Sequence, residues 1–258
     1  MILNKALLAI KKVINPYVPI KIKPDGSGVI TSNVRTVMNP FDEIALEEAV
    51  KLKNQGFIQE IIAVSIGDNS QDILLQALAI GADRAIFIKT MHNLTPLNIA
   101  KILKYLIEQH QINIAFLGKQ AIDNDCNQTG QMLAGLLNWP QVCSVSKIMF
   151  NQELLTQLVI DQEIDNGIEK LQVTLPVVIT ILDQKLNDLK QASYISLSNL
   201  SQAKKKPIDL IELADLNLNL NLNQITVLKT SLVPKRHSIK LSSVSELINK
   251  LKIDKVLI

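Results

Sequence analysis

The most unusual stretch of the sequence is Gly118-Lys-Gln-Ala-Ile-Asp-Asn-Asp-Cys-Asn-Gln-Thr-Gly-Gln-Met132, a polar run between an apolar strand-like segment and a helical one. If the strand belongs to a parallel sheet, such a loop lies at its carboxyl end, where α/β proteins bind ligands. Asn127, Gln128 and Thr129 offer side-chain donors, Gly130 allows close backbone approach, and the free N–H groups of the following helix attract an anion such as one phosphate. Asp123 and Asp125 repel phosphate but accept hydrogen bonds from ribose hydroxyls or an adenine amino group. No lysine-rich cradle or metal cage accompanies the loop, so a mononucleotide suits it better than a triphosphate. A helix-capping turn rich in Asn, Asp and Gly has the same composition. The residues alone leave the two readings level.

Other chemistry is sparse. The sequence has no G-x-G-x-x-G, no P-loop, no H-E-x-x-H and no G-x-S-x-G, the short signatures of dinucleotide, triphosphate, zinc and serine-hydrolase sites. His92, His110 and His237 stand in polar surroundings near element ends and read as surface residues rather than general bases. Cys126 and Cys143 define no disulfide framework and lack metal-ligand spacing, which points to a reducing cytoplasm. Lys204-Lys-Lys206 reads as a solvated charge run. Just before it, Tyr194-Ile-Ser-Leu-Ser-Asn-Leu200 sets apolar side chains in a polar loop, where one can anchor a partner.

The elements that position these residues follow from periodicity. Leu7-Leu-Ala-Ile10, Ile61-Ile-Ala-Val-Ser-Ile66, Ala85-Ile-Phe-Ile88 and Ile112-Asn-Ile-Ala-Phe-Leu117 are near-continuous apolar runs, as strands covered on both faces are. They alternate with helical spacing, the mark of an α/β domain with a parallel sheet. Asn39-Pro40 opens a helix with Asn39 as N-cap and Pro40 at its first position, and Gly56 stops it. Helices are expected near 70–80, 96–109 and 127–138, the last ended by Trp139-Pro140. Runs at 154–161 and 168–174 flank Asp165-Asn-Gly167 as a hairpin that leads to a last core strand at 177–182. From 183 regular period is lost: 185–206 reads as polar loop, Asn217-Leu-Asn-Leu-Asn-Leu-Asn223 as compositional drift rather than an edge strand, and 242–252 as a short terminal helix. This divides the chain into a core at 1–182 and an arm at 183–258 that needs another subunit to cover it.

The chain has 258 residues, 47% hydrophobic, a size that suits one medium soluble domain or a domain plus an arm. No apolar run approaches the ~20 residues of a membrane span, and the apolar start is too short, without a cleavage site, for a secretory signal. Residues 1–182 carry 15 basic and 17 acidic groups and residues 183–258 carry 12 and 7, so the arm is the basic part. Its only aromatic is Tyr194, too little stacking surface for single-stranded nucleic acid. A protein partner or plain solvated surface is the better reading.

Several segments together resemble the beta subunit of the electron-transfer flavoprotein. They are Lys21-Ile-Lys-Pro-Asp-Gly-Ser-Gly28, Met38-Asn-Pro-Phe-Asp-Glu-Ile-Ala-Leu-Glu-Glu-Ala49, Ala77-Leu-Ala-Ile-Gly-Ala-Asp-Arg84, the run 118–132, Ala203-Lys-Lys-Lys-Pro207 and Val244-Ser-Glu-Leu-Ile-Asn-Lys-Leu-Lys252. The similarity runs nearly end to end. It implies an adenine-nucleotide-binding, Rossmann-like α/β parallel-sheet sandwich with a C-terminal arm embracing a larger alpha subunit. It further implies one FAD held chiefly by that partner and one AMP in this chain. The family takes electrons from flavin dehydrogenases, such as acyl-CoA dehydrogenases, and passes them to a membrane quinone oxidoreductase; the subunit is a carrier, not an enzyme. Its compartment is the bacterial cytoplasm, or the mitochondrial matrix in a eukaryote.

By matching position, the AMP site comprises Ala9, Asn39, Pro40, Phe41, Asp42, the Ile66 backbone, and Asp123, Asn124, Asp125, Cys126, Asn127, Gln128, Thr129, Gly130, Gln131, Met132, Leu133 and Ala134. The run Asp-Asn-Asp-Cys-Asn-Gln-Thr-Gly is similar to the AMP-holding branch rather than the electron-bifurcating branch with a second FAD. Phe41 and Tyr17 match residues expected near the flavin. The dehydrogenase-docking loop maps onto Tyr194, Leu197 and Leu200, with Leu197 as anchor. Here the chain departs from the family: 185–194 makes the loop three residues longer, and Ser198 stands where proline is expected, leaving the loop less pre-ordered. A stand-alone adenine-nucleotide-binding regulator without flavin is the alternative on the same fold.

Overall fold

The structure is a computed structural model that describes residues 4–150, 154–182, 195–222, 230–231, 238–254 and 256. One unit takes in Met1–Pro19 and Thr31–Ile225, the other Ile20–Ile30 and Thr226–Ile258. In the first unit the order is β1 Lys5–Ala9, β2 Lys12–Ile14, β3 Thr36–Met38, α1 Pro40–Asn54, β4 Glu60–Gly67, α2 Gln71–Ile80, β5 Arg84–Lys89, α3 Pro96–His110 and β6 Ile114–Gly118. It continues with α4 Thr129–Leu137, β7 Gln141–Phe150, β8 Gln157–Ile164, β9 Gly167–Thr174, β10 Val177–Ile181, α5 Leu197–Ala203 and β11 Ile208–Glu212. In the second unit an antiparallel bridge joins Ile22 to Val29, and α6 Val244–Ile253 is capped by Ser243, matching the expected terminal helix.

Nine strands form one sheet in the order β11-β5-β4-β1-β6-β10-β7-β8-β9. From β11 to β7 every pairing is parallel, and β8 and β9 add an antiparallel extension. The apolar strands are buried on both faces. Ala6, Leu8 and Ile10 face a core with α1, α2 and α5, whereas Leu7, Ile62, Val64, Ile86 and Ala115 face a second core with α3 and α4. From β1 the chain moves outward through β4 and β5, then crosses back to lay β6 on the other side of β1. That reversal opens a crevice at the carboxyl ends of β1, β4 and β6.

The four expected strands and the helices at 40–54, 71–80, 96–110 and 129–137 are present, as is the hairpin of β8 and β9. Three features differ from the sequence reading. Within 185–206, read as loop, the described part carries α5, whose Ala203 is fully buried and whose Leu200 packs on the core. The chain then returns as β11 against β5, so β10 is not the last strand of the sheet. Residues 217–222 are neither a strand nor drift. Leu218 and Leu220 pack on the α3 face, the Asn219 carbonyl accepts from Lys101 Nζ at 3.2 Å, and the Asn221 carbonyl accepts from Asn98 Nδ2 at 2.7 Å. The alternation is the imprint of a strap over a helix, with side chains rather than a neighbouring strand satisfying its carbonyls.

The lysine run also has one member with a fold role. Lys206 Nζ donates to the Leu78 carbonyl at 2.9 Å and the Ala82 carbonyl at 2.6 Å, engaging the C-terminal end of α2 where a cation is favoured. Burial lowers its pKa from the usual lysine value, with Asp83 acting the other way. Lys204 and Lys205 are exposed. Lys206→Met keeps the stem and removes the charged donors, and is expected to lower stability by about 1–3 kcal/mol. Lys204→Met and Lys205→Met are expected to stay within about 0.5 kcal/mol of wild type in the same thermal or urea unfolding series.

Candidate functional site

The crevice holds a cleft of about 580 Å³, within the size range of small-molecule sites. Ala9, Asp42, Ile66, Asp123, Asn124, Cys126, Asn127, Gln128, Thr129 and Gly130 line it, so the structure brings together residues from β1, the start of α1, β4 and the run after β6. Val64, Leu94, Ile99, Leu103 and Leu117 add an apolar wall, and Asp68, Thr90, His92 and Asn93 add polar groups beside it.

What holds these strand ends in place is Asp42. It is buried in the first turn of α1, with Oδ2 accepting from the Lys11 N–H at 2.8 Å and Oδ1 from the Gly118 N–H at 3.1 Å. One carboxylate thus ties the exit of β1 to the exit of β6. Burial pushes its pKa up from 3.8 to about 7, against the Lys11 and Gly118 N–H groups, the Asn39 side chain and the Lys11 charge, which favour the ionised form. Gly118 is needed for this approach: a Cβ there would lie 2.7 Å from Phe41 Cβ and strike Asp42 Oδ1.

Asn39 occupies the N-cap position of α1, as expected, but its side chain does not cap the helix. It is fully buried and spans to the loop instead, Nδ2 donating to the Gln120 carbonyl at 2.9 Å and Oδ1 accepting from the Ile122 N–H at 3.2 Å. With Asn39 N–H donating to the Lys11 carbonyl at 2.9 Å, the start of α1 fixes both β1 and residues 118–122. At the rim, Lys11 Nζ pairs with Asp123 Oδ1 at 2.7 Å.

Beyond that brace the loop turns sharply. Asp125 N–H donates to the Ala121 carbonyl at 2.9 Å, and Asp125 and Asn127 take left-handed backbone at φ 53° and 47°, conformations that Asn and Asp tolerate best after glycine. Gln128 stands at the N-cap of α4 with no side-chain cap, so the helix offers its first-turn N–H groups beside the cleft. Gly130 serves packing more than ligand approach: a Cβ there would run into Thr180 Cγ2 on β10.

Other expected residues lie elsewhere. Gln131 donates from Nε2 to Asn127 Oδ1 at 3.1 Å, while Met132, Leu133 and Ala134 pack into the α3–α4 core. Phe41 is half-buried in the first turn of α1 beside Pro40, and Tyr17 is 92% exposed on a turn where its N–H donates to Asn15 Oδ1 at 2.9 Å. Leu197 is 86% exposed at the first position of α5, with Ser196 Oγ accepting from the Asn199 N–H at 3.0 Å. That cap orders the turn that carries Ser198. Tyr194 lies outside the described residues. Lys11 and residues 90–94 also line the cleft, among them His92, which the sequence marks only as a surface residue. The signal for 90–94 was its place directly after a parallel strand, at the same sheet edge.

A family model described as electron transfer flavoprotein domain matches residues 27–216. Curated relatives include the mitochondrial electron transfer flavoprotein subunit beta of Arabidopsis thaliana, 49% identical over 250 residues, which cover 96% of this chain and 97% of the relative. The electron transfer flavoprotein subunit beta of Mus musculus is 42% identical over 254 residues, 96% of each chain. That of Dictyostelium discoideum is 42% identical over 250 residues, 96% of this chain and 97% of the relative.

The raised pKa of Asp42 sets a direction for stability against pH. Between 3.8 and about 7 the folded chain keeps a proton that the unfolded chain has released, so the part of the stability that comes from protonating Asp42 is fullest below 3.8 and is lost as pH rises through about 7, leaving the hydrogen bonds of the ionised group. Asp42→Asn cannot titrate. The stability difference, wild type minus variant, is therefore expected to be largest near pH 4, to shrink through pH 7 and to level above it in urea melts across this range. A difference independent of pH would show that Asp42 is not held as described.

Proposed function

The chain belongs to the electron transfer flavoprotein family, and from that membership we propose that it is the beta subunit of a heterodimer whose task is to carry electrons rather than to transform a substrate of its own. It pairs with an alpha subunit, shares one FAD held mainly by that partner and holds one AMP. It accepts electrons from acyl-CoA and other flavin dehydrogenases and passes them to a membrane quinone oxidoreductase. Among the described residues no helix is long and apolar enough to cross a membrane. Its place of work is the cytoplasm of a bacterium or the matrix of a mitochondrion.

The residues fit AMP. The uncapped start of α4 suits one phosphate, Asp123 and Asn124 bring side-chain acceptors to the cleft that suit ribose hydroxyls, and the apolar wall suits a flat base. In this role AMP ties strand ends to α4 and adds stability by binding only the folded chain. For the flavin, Phe41 and the exposed Tyr17 are the aromatic groups on offer. When bound, FAD supplies reversible electron transfer, and the chain's part is to position and shield it.

The observation that carries the reading is Leu197. A large apolar side chain stands almost fully exposed on a short helix whose inner face, Leu200 and Ala203, is seated in the core and whose following turn is pinned by Lys206. A rigidly presented apolar anchor loses little freedom on docking. Leu197→Ala is expected to raise the apparent KM for the reducing dehydrogenase roughly tenfold or more, with AMP and flavin content unchanged. Flavin loss in the variant, or unaltered reduction kinetics, would show that Leu197 is not the anchor.

A further inference from the structure

Residues 90–94, which join β5 to α3, have no part in the site described so far beyond lining the cleft. Thr90 is 8% exposed, its N–H donates to the Gly67 carbonyl at 2.8 Å, and its Oγ1 accepts from the His92 N–H at 3.1 Å. A threonine hydroxyl is one donor and two acceptor lone pairs. The His92 contact fixes an acceptor lone pair, and among the described residues the hydroxyl proton has no acceptor. A hydroxyl that lines the cleft with its proton unclaimed by the described residues is a donor for whatever occupies the cleft.

Strand alternation gives the direction. Ile86 and Ile88 face the α3–α4 core, so Thr90, two residues on, follows them on the same face and lines the cleft with Leu94, Ile99 and Leu103. The uncapped start of α4 and the Asp123–Thr129 run lie at the β6 side. From β6 to β5 the sheet crosses β1 and β4, three strand spacings or about 14 Å. A mononucleotide with its phosphate at α4 therefore lays its base toward the apolar end. The edge of the base farthest from the ribose then leads, and in adenine that edge carries N1, an acceptor.

From this we infer that Thr90 is a further base-reading residue of the cleft, its hydroxyl donating to N1 of adenine while the 90–94 loop closes the apolar end. The inference rests on the reading of the cleft as an adenine-nucleotide site.

The test is displacement of bound labelled AMP from the purified full-length protein in its native assembly. The competitors are AMP, 1-deaza-AMP, which has C–H in place of N1, and 7-deaza-AMP, with wild type, Thr90→Val and Thr90→Ser compared. In wild type, 1-deaza-AMP is expected to compete about 3–10-fold more weakly than AMP and 7-deaza-AMP about equally, the worth of one neutral hydrogen bond. Thr90→Val is expected to weaken AMP by the same factor and to erase the difference between AMP and 1-deaza-AMP, and Thr90→Ser to keep it. Equal weakening of AMP and 1-deaza-AMP in Thr90→Val would reduce Thr90 to a packing residue and overturn the inference, as would wild type that does not distinguish the two. Wild type that holds no adenine nucleotide would overturn the underlying reading itself, a separate result.

Discussion

Two main-chain N–H groups, from Lys11 at the exit of β1 and Gly118 at the exit of β6, converge on the one buried carboxylate of Asp42. The sheet reverses its direction of growth at these two strands, and without a tie their ends are free to splay. Asp42 comes from α1, so the same bond sets the helix against the sheet. Asn39, three residues earlier, extends the brace to Gln120 and Ile122. The cleft, the loop that rims it and the start of α4 all take their positions from this short segment. An ionised carboxylate accepts from both donors best, whereas burial favours the neutral acid. The balance leaves the Asp42 pKa at about 7 and makes the brace sensitive to pH.

The apolar strands and the helices between them were legible because both faces of a parallel sheet must be covered, which writes unbroken apolar runs into the sequence. The place of the loop at 118–130, at the carboxyl end of such a strand, was legible, while its residue types alone left a ligand site and a helix-capping turn level. The residues that hold it were not read in their roles. Asp42 and Asn39 act across about eighty residues of sequence, and a first-turn Asp or an N-cap Asn carries the same local signature when it only caps a helix. Thr90 was passed over because a lone threonine after a strand is unremarkable until its hydroxyl is found buried and half engaged.

Past residue 182 the local signal weakens for a physical reason. The α5 helix has seven residues, too short for periodicity to stand out, and its stability comes from Ala203 and Leu200 on the core and from Lys206 beyond its end. The Asn-Leu alternation at 217–222 has a strand's period but a strap's contacts, because Asn98 and Lys101 take the place of a neighbouring strand. A side chain on a distant helix cannot be read from local pattern. The same arrangement gives Leu197 its character, an exposed apolar tip on a helix seated in the core.

What the protein holds, and with whom, decides its role. A native mass spectrum of the tagged chain purified from its own cells, followed by denaturation and identification of the released nucleotides, answers both questions in one preparation. The expected result is a heterodimer with a somewhat larger partner, one FAD and one AMP. A homo-oligomer carrying AMP or ATP and no flavin would contradict it and make the chain a nucleotide-binding regulator.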